Sequence, residues 1–192
     1  MNAAHGRFDY ELPFTLGHEI AGWVERVGSN VTDLQPGDSV VACAHRLCGT
    51  CDFCRRGDDN YCTAFTTGLG FGGDGGLATF VAVDRSAVVG PTTLDPRLAG
   101  PLADAGKTAY HAVKRALPRL VPGSTAVVIG AGGLGGFAVQ YLRLMSPSRI
   151  VVVDVEQHRL NLAAQLGAHE TVLSGPSIDR KGGSAGDRRI RV

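Results

Sequence analysis

The sequence predicts a two-domain α/β protein, in which a mostly antiparallel β-domain precedes part of a doubly wound parallel sheet. Two observations predict this order. Short β-prone runs, separated by turns rich in glycine and aspartate, occupy the chain from Ile20 to about Val89. From Asp95 the pattern changes to helical spacing and then to alternating strands and helices, which is typical of a parallel sheet. We place the domain boundary between residues 103 and 104.

The predicted β-domain contains two clear β-prone runs. These are DSVVACA, which follows the turn QPGD, and LATFVAVD, which follows the turn GGDGG. Both runs are rich in valine and alanine, and each is preceded by residues that favour a chain reversal. We therefore expect both runs to form strands of one compact sheet.

The second half of the chain is predicted to begin with a helical segment, which is followed by alternating strands and helices. DPRLAGPLADAGKTAYHAVKRAL has helical spacing and ends at the turn LVPGS. The strand TAVVIG, the helix GLGGFAVQYLRLM, the strand RIVVVD, the helix EQHRLNLAAQLGA and the short strand ETVLS follow. This alternation predicts parallel strands joined by helical crossovers over residues 104–178.

Composition excludes several classes of protein. The chain has 192 residues, and no run approaches the roughly 18 apolar residues that a membrane span needs. The net positive charge comes from the last residues, DRKGGSAGDRRIRV, so the body carries no basic face for nucleic acid. We predict a soluble cytoplasmic protein that binds neither nucleic acid nor membrane, with residues 179–192 as a disordered basic tail.

Four of the five cysteines lie within one segment of fifteen residues, with the spacing C-x2-C-x2-C-x7-C. In a reducing compartment such a cluster favours a metal over disulfides, and four thiolates satisfy the tetrahedral preference of Zn2+. The predicted structural zinc ligands are Cys48, Cys51, Cys54 and Cys62, in a lobe over residues 46–64. An iron–sulfur cluster or a group of free thiols is the alternative, and Cys43 is interpreted as a buried small residue.

A glycine-rich segment follows the strand TAVVIG and precedes a helix, and it fits G-x-G-x-x-G. This arrangement points backbone N–H groups and a helix N-terminus at a pyrophosphate. Asp154 ends the next strand, where a carboxylate accepts hydrogen bonds from ribose hydroxyls and favours NAD over NADP. The predicted cofactor-binding residues of this motif are Gly130, Gly132, Gly133, Leu134, Gly135 and Asp154.

The order of these motifs, with GHE upstream at residues 17–19, resembles the zinc-dependent medium-chain alcohol dehydrogenase family. PLADAGKTAYHA at residues 101–112 is similar to the corresponding segment of bacterial secondary and broad-range alcohol dehydrogenases. The resemblance implies a GroES-like catalytic domain over residues 1–103 and a Rossmann NAD-binding domain over residues 104–178. It also implies hydride transfer from a primary or secondary alcohol to NAD+, and dimers or tetramers.

The resemblance further assigns roles to four residues. His18 and Asp104 match ligands of the catalytic zinc, Glu19 matches the acidic residue beside it, and Thr108 matches a threonine near the nicotinamide. His45 and His111 match no ligand position and are interpreted as surface or structural residues.

The chain departs from the family at both ends. The family's first catalytic-zinc ligand is a cysteine upstream of GHE, and no cysteine precedes His18 here. The match stops after the first half of the Rossmann domain. We therefore expect a chain that is truncated at both ends relative to the family and impaired as an enzyme. Two alternatives stay open: a non-catalytic fragment that binds zinc and nucleotide, and a polyol or threonine dehydrogenase of the same family.

Overall fold

The computed structural model describes residues 12–45, 47–64 and 68–175. The chain divides into two compact units, with the division between Thr108 and Ala109. Each unit has its own sheet. The predicted basic tail, residues 179–192, lies outside the described residues. In the part of the chain that the structure describes, no helix is long and apolar enough to cross a membrane.

The main sheet of the first unit is antiparallel and has three strands in the order β1-β2-β5. Strand β1 is Ile20–Trp23, β2 is Ser39–Ala42 and β5 is Val88–Val89, and Ile20 lies opposite Ala42. The turn before β2 is closed by hydrogen bonds from the Gly37 N–H to the Val24 carbonyl and from the Val24 N–H to the Asp38 carbonyl. The antiparallel sheet is thus present as predicted, although its strands are short.

The run LATFVAVD does not form a strand, so that prediction was wrong. Leu77 and Phe80 in this run are 76% and 71% exposed. A β-prone segment becomes a strand only when a neighbouring segment offers N–H and C=O groups to pair with. Within the described residues, no strand pairs with this run. Two very short strands, β3 (Gly68–Leu69) and β4 (Gly72–Gly73), pair with each other just before it.

The helical run after Asp95 is divided into two helices by Asp104. Helix α2 is Pro96–Ala99, a 3₁₀ turn follows, and helix α3 is Ala105–Ala116. Asp104 itself lies outside helical geometry, at φ −129° and ψ −68°. Proline is favoured at the first helical position, where its missing N–H costs nothing. Ala99 and Ala103 pack against Val41, so this segment covers one side of the first sheet.

The sheet of the second unit is parallel, with the order β6-β7-β8, and it confirms the predicted alternation. Strand β6 is Thr125–Ile129, α4 is Gly133–Met145, β7 is Arg149–Asp154, α5 is Gln157–Gln165 and β8 is Glu170–Leu173. Side chains that alternate along β7, Ile150 and Val152, are fully buried against Val139 of α4 and Leu160 of α5. The register of β6 on β7, with Ile129 opposite Val153, brings the carboxyl ends of both strands to one edge.

Helix α5 offers a matched pair for testing this core, because Leu160 is 1% exposed and Leu162 is 51% exposed. Leu160→Ala should lower the free energy of unfolding by about 2–5 kcal/mol, since it leaves a cavity among packed side chains. Leu162→Ala on the same helix should change it by about 0.5 kcal/mol or less. Urea unfolding followed by circular dichroism measures both values, and equal losses in the two variants would contradict the placement of α5.

Candidate functional site

The predicted cysteine cluster is assembled in the first unit. The four Sγ atoms of Cys48, Cys51, Cys54 and Cys62 all lie within 4.8 Å of one another. Helix α1, Asp52–Arg55, carries Cys54, and a short 3₁₀ turn delivers Cys62 to the same point. Among the described residues, this is the one group of three or more Cys, His, Asp or Glu side chains with metal-binding geometry.

Backbone N–H groups point at the sulfurs of this cluster. The Cys51 N–H donates to Cys48 Sγ at 3.4 Å, and the Cys48 N–H donates to Cys62 Sγ at 3.5 Å. Such donors favour the thiolate form, which is the form that binds metal. Hydrogen bonds from the backbone of Thr50 and Cys51 lower the pKa of Cys48 to about 6.

The crowding of the four sulfurs has the opposite effect on Cys54. Desolvation and the neighbouring thiols disfavour a further negative charge there, and they raise the pKa of Cys54 to about 12. Four sulfurs at these separations cannot all ionise without a cation among them. A divalent ion with a preference for sulfur removes that penalty and requires all four thiolates. The donor set therefore fits a closed tetrahedral zinc site with no open position.

Cys43 lies outside the cluster, as predicted, but it is half-buried and not a buried core residue. It directly follows β2, and its N–H donates to the Ala87 carbonyl at 2.8 Å. It is not a member of the metal-binding group.

The predicted catalytic pair is also brought together in the first unit. His18 Nε2 lies 3.3 Å from Asp104 Oδ2. The two residues are far apart in the sequence, since their neighbours Glu19 and Ala105 are 86 positions apart. Glu19 is not part of the pair itself. Its Oε1 accepts a hydrogen bond from the Ala105 N–H at 3.2 Å, next to Asp104. Glu19 thereby holds the start of α3, and with it Asp104, against the segment that carries His18.

The structure adds one residue to this pair that the sequence did not single out, and it places a second, His45, within reach of the pair's charges. The Phe71 ring packs against the His18 imidazole, with 4.3 Å between ring centroids. The charges of Asp104 and His18 act on the partly buried His45, whose pKa is lowered first by burial and then by Lys107. No periodicity or spacing links these residues to His18, since each comes from a different loop.

Within residues 12–45, 47–64 and 68–175, no third Cys, His, Asp or Glu side chain joins His18 and Asp104 in a ligand set. The pair offers one nitrogen and one carboxylate oxygen, both of which suit zinc. A catalytic zinc takes three protein ligands, so the described residues supply two of them.

The glycine-rich turn lies between β6 and α4 in the second unit. Gly130 has φ +90°, which a residue with a side chain rarely adopts. Its N–H donates to the Val153 carbonyl at 2.8 Å, so the turn begins against the end of β7. Gly132 is the N-cap of α4, and the first turn of this helix contains the other predicted residues, Gly133, Leu134 and Gly135. The predicted motif is therefore in the predicted place, at the N-terminus of a helix.

The glycines of this turn have different surroundings. A Cβ at Gly135 would lie 1.9 Å from the Gly130 carbonyl oxygen, so Gly135 permits the close packing of helix and turn. A Cβ at Gly132 or Gly133 would meet no heavy atom within 4 Å. The space above these two residues is the space a pyrophosphate needs to approach the backbone, and the turn fits a dinucleotide for that reason.

Asp154 ends β7 beside this turn, with its side chain only 3% exposed. Its Oδ2 accepts a hydrogen bond from the Ala131 N–H at 2.6 Å, and its Oδ1 accepts one from the Glu156 N–H at 2.8 Å. These bonds, the Ala131 bond first, lower the pKa of Asp154. The contribution of these bonds to the free energy of unfolding is fully present above the ordinary pKa of an aspartate, and it is lost as the pH falls through the lowered pKa of Asp154.

Thr108 is an exposed residue of α3, and its N–H donates to the Asp104 carbonyl at 2.8 Å. It belongs to the first unit, and the glycine-rich turn belongs to the second. Its assignment to the nicotinamide stays a prediction.

Known proteins match this arrangement in both units. Residues 1–92 match the alcohol dehydrogenase GroES-like domain. The NAD-dependent alcohol dehydrogenase of Sulfolobus acidocaldarius is 39% identical over 159 residues, which are 82% of this chain and 45% of that protein. The chain is thus similar to zinc-dependent medium-chain alcohol dehydrogenases in both units. These relatives are enzymes. The GroES-like match and the parallel sheet of the second unit confirm the predicted fold class, in which the Rossmann part is only partly present.

Solved structures of the medium-chain alcohol dehydrogenase family have the same fold. The alcohol dehydrogenase of Aeropyrum pernix superposes with a TM-score of 0.79 and 39% identity, over 89% of this chain and 51% of that one. The cobalt- and zinc-bound alcohol dehydrogenase of Pyrobaculum aerophilum superposes with a TM-score of 0.79 and 29% identity, over 88% of this chain and 52% of that one. The chain spans about half the length of the curated relatives it matches.

The cysteine cluster can be tested with two serine substitutions. Cys51→Ser should release the zinc of the lobe, because a closed tetrahedral site loses one of its four sulfur ligands. Cys43→Ser removes the cysteine outside the cluster and should leave the zinc content unchanged. Elemental analysis of dialysed protein measures zinc per chain, and equal zinc in both variants would show that the cluster does not bind it.

The glycine-rich turn can be tested by adding one methyl group at either of two positions. Gly135→Ala should lower the free energy of unfolding by about 1–3 kcal/mol, because its Cβ overlaps a backbone oxygen that must move. Gly132→Ala should leave stability within about 1 kcal/mol and weaken NAD+ binding, since its Cβ projects into the open space above the turn. Urea unfolding and calorimetric titration with NAD+ separate the two effects. Unchanged NAD+ affinity in Gly132→Ala would contradict a pyrophosphate site there.

Proposed function

We propose that this chain carries two ligands of the catalytic zinc and part of the nucleotide-binding sheet of a zinc-dependent, NAD-linked alcohol dehydrogenase. The reaction is hydride transfer from a primary or secondary alcohol to NAD+. The observation that carries the proposal is the His18–Asp104 pair, 3.3 Å apart. A histidine nitrogen and a carboxylate oxygen at one point, with a four-cysteine cluster elsewhere in the same unit, match one open and one closed zinc site.

In this proposal His18 and Asp104 are ligands of the catalytic zinc, and Glu19 positions Asp104 through the Ala105 N–H. Phe71 packs against the His18 ring and restricts its rotation, so that Nε2 faces Asp104. A zinc ion at this position would act as a Lewis acid toward the oxygen of the alcohol substrate. These residues contribute the geometry, because a metal site needs ligands whose orientations are fixed by neighbouring groups.

The remaining predicted residues take supporting roles. Cys48, Cys51, Cys54 and Cys62 would hold a structural zinc that orders the lobe of residues 46–64. The turn from Gly130 to Gly135 would bind the pyrophosphate of NAD, which accepts the hydride, and Thr108 would lie near the nicotinamide. We assign the alcohol and both metals to residues 1–103 with Asp104, and the nucleotide to residues 104–178. Cytoplasmic location and assembly into dimers or tetramers stay predictions.

One observation favours a second candidate function. The described residues supply only two of the three protein ligands that a catalytic zinc takes. A chain in which that ion is not retained would still bind structural zinc and nucleotide, and it would be a binding fragment without dehydrogenase activity. A polyol or threonine as substrate is a further alternative within the family.

Zinc content and activity together decide between these functions. An active dehydrogenase should hold two zinc ions per chain, of which Cys51→Ser removes one and His18→Ala removes the other. It should also reduce NAD+ in the presence of 2-propanol or ethanol, and His18→Ala should abolish that activity. His158→Ala replaces an exposed histidine of α5 and should keep both ions.

The opposite results support the second candidate. One zinc per chain that is retained in His18→Ala and lost in Cys51→Ser would show that only the cysteine cluster is occupied. Absence of NAD+ reduction with zinc in excess would then exclude the dehydrogenase activity for this chain.

A further inference from the structure

The carboxylate of Asp154 has both oxygens engaged by the protein backbone. Oδ2 accepts the Ala131 N–H at 2.6 Å, and Oδ1 accepts the Glu156 N–H at 2.8 Å. The Arg159 guanidinium, on a half-exposed side chain, lies 3.9 Å from Oδ1. The Asp154 side chain is almost completely buried. It is therefore a part of the fold before any ligand is present.

The hydrogen bond from Ala131 connects two segments that are 23 positions apart in the sequence. Ala131 is the second residue of the turn between β6 and α4, and Asp154 is the last residue of β7. The Gly130 N–H donates to the Val153 carbonyl, so two adjacent residues of the turn are bonded to two adjacent residues of β7. The conformation of the turn is fixed by this double connection.

The connection places a negative charge beside a proposed anion site. By itself a carboxylate at this position would weaken the binding of a pyrophosphate, because like charges repel. The compensating benefit is preorganisation: a turn that is already ordered loses less conformational entropy when the anion binds. The two effects have opposite signs, and they can be separated by experiment.

We propose that Asp154 is a positioning residue, which holds the backbone of the glycine-rich turn in the conformation that binds pyrophosphate. This inference rests on the proposed nucleotide site and assigns Asp154 a role beyond contact with the ribose. A residue that only binds ribose would not influence the binding of an anion that has no ribose. Inorganic pyrophosphate is such an anion and is the probe we choose.

The test compares Asp154→Asn with Glu156→Gln, which removes one negative charge from an exposed side chain two residues away. Asparagine offers one neutral acceptor oxygen in place of two charged ones, so the Ala131 bond should be lost or weakened, while the Gly130 bond to the Val153 carbonyl stays. We expect Asp154→Asn to bind inorganic pyrophosphate about tenfold more weakly than the wild type, the factor expected for one charge-assisted hydrogen bond. Glu156→Gln should bind it equally well or more tightly. NMR titration of the turn amides measures both affinities, and equal or tighter binding by Asp154→Asn would overturn the inference.

A second measurement needs no ligand. The Ala131 amide should exchange with deuterium as slowly as the amides of β7 in the wild type, because it donates to a buried carboxylate. Its exchange should accelerate at least tenfold in Asp154→Asn, the same factor for the loss of that bond, and stay unchanged in Glu156→Gln. Rapid exchange of Ala131 in the wild type would overturn the inference without any variant.

The two measurements also separate this inference from the nucleotide site itself. If the wild type binds neither pyrophosphate nor NAD+, the proposed nucleotide site is wrong, together with the ligand-dependent part of this inference. Slow exchange of Ala131 that depends on Asp154 would still establish that the carboxylate holds the turn. Normal NAD+ binding with rapid exchange at Ala131 would retain the proposed function and remove the positioning role.

Discussion

Close contact between backbone segments, which only glycine permits, fixes both candidate sites. In the first unit a Cβ at Gly75 would lie 2.2 Å from the carbonyl oxygen of Gly17, the residue before His18. In the second unit a Cβ at Gly135 would lie 1.9 Å from the Gly130 carbonyl oxygen. In each case a loop and a site segment approach more closely than any side chain allows. The positions of His18 and of the glycine-rich turn therefore depend on the absence of a side chain at Gly75 and Gly135.

The two candidate metal-binding sets differ in a way that follows from their construction. The cysteine cluster is local: its four ligands come from one loop, and its crowded sulfurs need a cation before they can all ionise. The His18–Asp104 pair is non-local, and it depends on the hydrogen bond between Glu19 and Ala105 and on the packing of Ala99 and Ala103 against Val41. A metal bound to the cysteines would therefore order the surrounding loop. The positions of His18 and Asp104, in contrast, are set by contacts within the protein.

The errors of the sequence interpretation arose where a residue's role depends on distant segments. LATFVAVD has the composition of a strand, but its side chains stay exposed and no described strand pairs with it. The helical pattern after Asp95 did not reveal the break at Asp104. Phe71 carries no motif at all, and its contact with the His18 ring comes from the folding of separate loops. Local patterns cannot report such contacts, because pairing and burial are properties of the assembled unit.

The sequence by itself determined the features whose parts lie close together along the chain. Cysteine spacing defined the metal cluster, and the alternation from Thr125 to Leu173 defined the parallel sheet with its glycine-rich turn. Hydrophobic periodicity and ligand spacing are local signals, so they can be read without a fold. Only the tertiary structure decided that His18 meets Asp104, that Phe71 covers the imidazole, and that Asp154 is bonded to Ala131. These are distances between segments far apart in sequence, and they are set by how the strands, helices and loops of each unit pack.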